Sequence, residues 1–275
     1  MKKLISVILT LVFALSIGVM TTSCNKEEGS KSSVVNVRTK TITVGYTDYA
    51  PMNYKEKGVL KGFDTELALM TFNALGYEVR FKLIEWSNKY LELNGGTIDC
   101  IWNGFTANSS DDGVAREDLV NFSYYYLENN QCVVRKNGTA EITDPTDFNG
   151  KSIAFESGSA GEGYVDGLSV SVNKKSVSAQ LDALKQVNMG TAQYAVVDKT
   201  LADNYVGKSD YSSLVINEGI EIPVEFYGIG FKKDANGAAL RDKVNVMLKA
   251  FEATGQLYSL AEKYNLTTRL ITLGA

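Results

Sequence analysis

From residue 41 onward, short apolar runs alternate with longer stretches in which apolar residues recur at helical spacing. The short runs are rich in β-branched and aromatic residues and predict strands. They are TITVG, YEVRFKLI, TIDCIW, KSIAF, LSVSV, QYAVV and SLVI, at residues 41–45, 77–84, 97–102, 151–155, 168–172, 193–197 and 213–216.

The intervening stretches predict helices. Residues 63–76 place Phe63, Leu67, Met70 and Ala74 on one face, and Gly76 ends the pattern. Residues 176–187 are also helical in pattern, and a last stripe consists of Leu240, Val244, Met247, Leu248 and Phe251. Strands alternating with helices predict an α/β fold of parallel sheets covered on both faces.

Three predicted strands run directly into polar residues. Asn103-Gly104 follow the strand that ends at Trp102, Glu156 and SGSAG follow Phe155, and Asp198 follows Val197. In open α/β sheets, ligands bind beyond the carboxyl ends of the strands. These strand ends therefore predict a ligand site.

The charges near these ends match the two charged groups of an amino acid. Arg116 offers a planar fork of donors for a carboxylate, and SGSAGEG (157–163) leads into a predicted helix whose first N–H groups attract anions. Asp198 offers a carboxylate for an ammonium group, while Tyr49 and Trp86 are placed to hold a side chain. Each feature alone also fits a solvated arginine, an ordinary turn, a helix cap or a core aromatic residue, so the inference depends on their combination.

Composition narrows the function. The 275 residues can form one large domain or two small ones, and they carry a formal net charge of −4. No basic stripe occurs, so we expect no nucleic-acid partner. The chain has no histidine, which removes the usual general base and the commonest metal ligand. Without CxxC or other metal-ligand spacing, neither a metal nor another cofactor is expected.

Cys100 and Cys132 could pair in an exported chain, but their apolar neighbours favour free, buried thiols.

The N-terminus has the pattern of an export signal. Residues 1–23 combine a short cationic start with an apolar core and small residues before Cys24, which predicts a signal peptide. This junction resembles a bacterial lipoprotein cleavage site, although Thr21 stands where leucine is usual. We therefore expect a lipid on Cys24, with an ordinary secreted cysteine as the alternative. Residues 24–40 are polar and lack periodicity, as in a flexible tether.

Several motifs resemble, in order, those of the family-3 extracellular solute-binding proteins, the amino-acid receptors of ABC importers. They are VGYTDYAPMNY, GVLKGFDTELA, IEWSNKYLELNGGTIDCIWNGFT, VNFSYYY, DFNGKSIAFESGSAGE, GTAQYAVVD, YGIGFKKD and GQLYSLAEKY. The resemblance extends from about residue 41 to 264. It implies a two-lobed periplasmic-binding-protein fold, each lobe a mainly parallel sheet flanked by helices, joined by two hinge strands near 126–130 and 223–227. Lobe 1 would then comprise residues 41–126 and 227–275, and lobe 2 residues 130–223.

The resemblance also implies roles for individual residues. Arg116 would bind the ligand carboxylate, although the segment 107–115 is longer than the usual T-x-T-x-x-R spacing. The other implied ligand contacts are the Gly104 backbone, Thr106, Ser159, the Ala160 N–H, Asp198 for the ammonium group, and Tyr49 and Trp86 for the side chain. Asp48 and Glu156 are possible contacts to the ligand side chain, and they favour a polar or cationic one.

The implied function is to capture a free amino acid and deliver it to ABC permease subunits, as a monomeric, exported and lipid-anchored protein. An enzyme on the same fold, a lyase or a peptidoglycan-cleaving enzyme, is the first alternative, with Glu156 as the candidate acid. An amino-acid sensor is the second, for which we find no membrane-spanning or effector segment after the binding region in these 275 residues.

Overall fold

The computed structural model describes residues 40–274. The predicted signal peptide, Cys24 and all but the last residue of the predicted tether lie outside this range. Within it, no helix combines the length and the apolar character needed to cross a membrane.

The described chain alternates strands and helices. The strands are β1 (Lys40–Tyr46), β2 (Tyr54–Glu56), β3 (Val59–Lys61), β4 (Tyr77–Leu83), β5 (Cys100–Thr106), β6 (Ser110–Asp111), β7 (Val114–Ala115), β8 (Val120–Phe122), β9 (Leu127–Lys136), β10 (Ser152–Glu156), β11 (Asn173–Val177), β12 (Tyr194–Asp198), β13 (Leu214–Ile216) and β14 (Val224–Lys232). The helices are α1 (Phe63–Ala74), α2 (Lys89–Asn94), α3 (Arg116–Leu119), α4 (Ala160–Asp166), α5 (Gln180–Met189), α6 (Lys199–Tyr205), α7 (Ala235–Ala253) and α8 (Gln256–Lys263).

The main sheet consists of two halves that share two long strands. Its order is β11-β10-β12-β9-β14-β5-β1-β4, with β13 beside β9 and β8 beside β14. The first half contains β4, β1 and β5, which are parallel, and the second contains β11, β10 and β12, also parallel. Strands β9 and β14 join the halves as an antiparallel pair that matches Leu127 with Tyr227 and Asn130 with Val224. This is the predicted two-lobed fold.

Apolar side chains of α1 and α7 cover the first half of the sheet. Phe63, Leu67 and Phe72 of α1 are fully buried, and the Phe72 ring packs edge-on against Trp102 at 5.9 Å between centroids. Complete burial of such a side chain contributes about 1.5–3 kcal/mol, so this face alone holds α1 on the sheet. The helical stripe predicted at 240–251 is confirmed in α7, whereas Ala74, expected on the buried face of α1, is exposed.

Two local predictions are wrong. The segment 168–172 is not a strand, because Leu168, Val170 and Val172 pack on the core of the second half without pairing. The polar residues that follow, Asn173–Val177, form edge strand β11 instead, and this delays the start of α5 to Gln180. Cys100 and Cys132 are free and buried, as their apolar neighbours predict.

Candidate solute-binding site

The polar residues at the strand ends surround one small cavity. The cavity is narrow, with a volume of about 10 Å³ open to water, and it lies between the two halves of the sheet. It is lined by Trp86, Asn103, Gly104, Thr106, Arg116, Glu156, Ser159, Ala160, Gln180 and Asp198. Eight of these are predicted ligand contacts, Asn103 was named as a polar residue at a strand end, and Gln180 is additional.

The fold explains why residues far apart in sequence meet here. Strand β5 ends at Thr106, β10 at Glu156 and β12 at Asp198, so three strand ends from both halves meet at one edge. Ser159 follows β10 and caps α4, where its hydroxyl accepts a hydrogen bond from the Glu162 N–H at 3.1 Å. The Ser159 cap fixes the start of α4 beside the cavity.

Gly104 is required by close packing inside β5. Its φ is +54°, and a Cβ at this position would lie 2.5 Å from Cε1 of Tyr49. Its N–H donates to Oδ2 of buried Asp64 at 2.6 Å, and the Tyr126 hydroxyl donates to Oδ1 at 2.8 Å. Burial raises the pKa of Asp64 to about 7, although these two donors partly oppose the shift.

Arg116 is the main cation of the cavity and is 1% exposed. It donates to the Thr106 carbonyl oxygen at 3.1 Å and to the Gly158 carbonyl oxygen at 3.2 Å. Its Nε and Nη2 both donate to Oδ1 of Asp111, at 3.0 and 2.8 Å. Arg116 is therefore held in place by contacts on three sides, one of which comes from the 107–115 segment.

The second half of the sheet contributes carboxyl groups to the cavity. Asp198 accepts hydrogen bonds from the side-chain amides of Gln131 and Gln180 and from the Tyr227 hydroxyl, the last at 2.9 Å. Glu156 is 3% exposed, and its burial, together with the nearby charge of Asp198, raises its pKa well above the usual range. The first half thus contributes a guanidinium to the cavity, and the second half contributes carboxyl groups.

The family model for bacterial extracellular solute-binding proteins, family 3, matches residues 42–267. The chain belongs to this family. The arginine-binding extracellular protein ArtP of Bacillus subtilis (strain 168) is 26% identical over 93% of this chain and 96% of its own. The probable amino-acid-binding protein YxeM of the same strain is 29% identical over 88% and 89%. Among solved structures, an ancestral arginine-binding protein bound to arginine has a TM-score of 0.73 and 28% identity, over 82% of this chain and 97% of its own.

Three residues of this family-3 protein were predicted to contact the ligand side chain, namely Trp86, Tyr49 and Asp48, and not all of them line the cavity. Trp86 lines the cavity and packs edge-on against Phe105, with centroids 5.2 Å apart. Tyr49 lies behind the lining residues, 2% exposed, with its hydroxyl 2.5 Å from that of Tyr227. Asp48 is exposed and is not among the residues that line the cavity.

Sequence reasoning missed several residues around the family-3 site. Lys89, 2% exposed, lies beside Arg116 and Asp111, but it stands among polar and charged residues between Glu85 and Glu92 that give no sign of burial. Glu225 on β14 accepts hydrogen bonds from Thr106, Asn129 and Gln131, and burial and the Asp198 charge raise its pKa to about 7. One sequence feature could have indicated these residues: Gln131 is a polar residue directly before the apolar run CVV, and such a position suggests a buried polar side chain.

Proposed function

We propose that this family-3 protein captures a free amino acid with a cationic side chain and delivers it to an ABC importer. The observation that carries the proposal is the cavity itself, which receives a guanidinium from one half of the sheet and carboxyl groups from the other. Arg116 binds the α-carboxylate, and Asp198 binds the α-ammonium group. Gly104, Thr106, Ser159 and Ala160 complete the contacts to these two groups.

The ligand side chain is assigned from the balance of charge. Once Asp198 has taken the ammonium group, Glu156 still lines the cavity and Glu225 lies directly behind Thr106. A cationic side chain keeps these buried carboxylates ionised and paired, whereas a neutral one leaves them desolvated. L-arginine is the proposed ligand, in agreement with the names of ArtP and of the ancestral arginine-binding protein.

Binding and closure are coupled through β9 and β14. We assign residues 41–126 and 227–275 to lobe 1, residues 130–223 to lobe 2, and the β9–β14 pairing to the hinge. Because the contacts to the zwitterion are divided between the lobes, the ligand has more contacts in the closed form and shifts the population towards closure.

The protein works outside the cytoplasm as a lipid-anchored monomer. Removal of residues 1–23 leaves Cys24 as the first residue, where the lipid is attached. Residues 24–40 then hold the binding region away from the membrane, within reach of the permease subunits.

A thermal-shift screen of L-amino acids tests the ligand assignment, because a ligand specific to the native state raises the unfolding midpoint by mass action. We expect L-arginine to give one of the largest shifts, with lysine or histidine next and leucine near zero. Agmatine, which lacks the carboxylate, and Nα-acetylarginine, which lacks the ammonium group, are the matched controls. Shifts from these two analogues as large as that from arginine would contradict the zwitterion site.

One observation favours an enzyme as the second candidate. Glu156 is a buried carboxyl group with a raised pKa at the cavity wall, as expected of a general acid. Incubation of the protein with arginine, followed by denaturation and mass spectrometry, separates the two functions. A binding protein returns arginine unchanged, whereas an enzyme returns a product that disappears in Glu156→Gln.

A further inference from the structure

A direct contact joins the two halves of the sheet beside the cavity. The carbonyl oxygen of Gly158, between β10 and α4, accepts hydrogen bonds from Lys89 Nζ at 2.9 Å and from Arg116 Nη2 at 3.2 Å. Lys89 begins α2 and Arg116 begins α3, both of which pack in the first half. Two cations of one half therefore converge on a single backbone carbonyl of the other.

The backbones also approach closely at this point. A Cβ on Gly158 would lie 3.0 Å from Cα of Ser87 and 3.3 Å from Lys89 Nζ. The φ of Gly158 is +73°, and that of Gly150 is nearly the same, +72°. A Cβ on Gly150 would nevertheless meet nothing within 4 Å. The close approach at Gly158 thus comes from the facing half and not from the local conformation.

Asp111 organises the two cations. Its Oδ1 accepts from Arg116, and its Oδ2 lies 3.0 Å from Lys89 Nζ and accepts from the Tyr90 hydroxyl at 2.6 Å. Lys89 is 2% exposed, and burial and the neighbouring Arg116 charge lower its pKa to about 8. Two desolvated cations repel each other, and a shared carboxylate offsets that repulsion.

We propose that Lys89, Arg116 and the Gly158 carbonyl form a closure contact between the lobes, and that Asp111 is the residue that positions it. The inference deepens the proposed function, because the halves are the lobes assigned there. The closure contact needs no ligand. It gives the 107–115 segment a role: its hairpin of β6 and β7 places Asp111 against both cations. The contact raises the closed population before binding and slows reopening afterwards.

The closure contact can be tested by measuring the interlobe distance in the ligand-free protein. Electron–electron double resonance gives this distance between spin labels at Val246→Cys on α7 and Met189→Cys on α5. Both positions are exposed, at 68% and 64%, whereas the native Cys100 and Cys132 are buried. Cys24 is replaced by serine so that it takes no label. Because no ligand is added, the outcome does not depend on which solute binds.

Gly158→Ala puts a Cβ 3.0 Å from Cα of Ser87, a contact tight enough that the facing backbone must yield, and we expect the population at the wild-type distance to fall by about half. Gly150→Ala carries the same strain at positive φ without a facing neighbour and should keep the wild-type distribution. Equal distributions in the two variants would overturn the closure contact. Unfolding midpoints of both variants show whether Gly158→Ala remains folded.

Asp111→Asn tests the positioning role, because it removes the charge but keeps an oxygen that can accept from Arg116. We expect a lengthened interlobe distance, and Asp111→Glu should partly restore the wild-type distribution. A merely structural role for Asp111 would lower the unfolding midpoint and leave the distance distribution unchanged. That result would overturn the assignment of Asp111.

Discussion

The Arg116→Ala substitution tests the carboxylate-binding role of the most buried cation in the cavity. Arg116 is 1% exposed, and besides Asp111 it donates to two carbonyl oxygens, those of Thr106 and Gly158. Alanine removes the positive charge from this wall of the cavity. A bound ligand carboxylate would then be desolvated without its main partner.

The expected loss follows from truncating one partner of a buried, hydrogen-bonded charge pair, which costs roughly 2–5 kcal/mol. Since about 1.4 kcal/mol corresponds to a tenfold change in affinity, the Kd for L-arginine should rise by about 30-fold or more. Lys89 does not line the cavity, so it should compensate only in part.

Isothermal titration calorimetry with L-arginine measures the change, and chemical unfolding of the same samples reports any loss of folded protein. Arg80→Ala is the matched control, because Arg80 is 66% exposed at its side chain and, within residues 40–274, forms an ion pair with Glu78 alone. The reasoning is refuted if Arg116→Ala remains folded and binds arginine with the same Kd as Arg80→Ala.

Two further predictions concern stability and anchoring. Burial raises the pKa of Asp64 to about 7, so its protonated form stabilises the fold at low pH, and this contribution is lost as pH rises from about 4 through 7. In urea unfolding, Asp64→Asn should therefore lose less stability than the wild type between pH 5 and 7.5. Equal losses in the two proteins would contradict the raised pKa of Asp64. Cys24→Ser should remove the lipid, so that the protein leaves the detergent phase in phase partitioning or remains unprocessed, and a wild-type protein found wholly in the aqueous phase would contradict lipidation.

The apolar pattern was sufficient to predict the α/β class and most of the elements. β-Branched runs such as 41–45 and 193–197 have few alternatives to a buried strand, and both are strands here. The failure at 168–172 has a physical reason, because apolar side chains can pack on a core without backbone pairing. An edge strand such as β11 needs little burial, so its sequence shows only a weak alternation of apolar and polar residues.

The site was predictable where a polar residue ends a buried strand. Asp198 and Glu156 follow this rule, and both line the cavity. Lys89 and Asp111 could not be found in this way, because each acts through a neighbour brought close by tertiary packing. Their contacts depend on how a short helix and a two-residue-strand hairpin lie against Arg116, which neither periodicity nor composition specifies.

We propose that an amino acid binds between the two lobes and closes them. Small-angle scattering of the protein with and without saturating L-arginine tests this proposal in the wild type and in Asp198→Ala, which lacks the proposed lobe 2 contact to the ammonium group. We expect the radius of gyration of the wild type to shrink on adding arginine, and that of Asp198→Ala to shrink less at matched occupancy. Equal compaction of the two proteins, or no compaction of the wild type when arginine is bound, would contradict it.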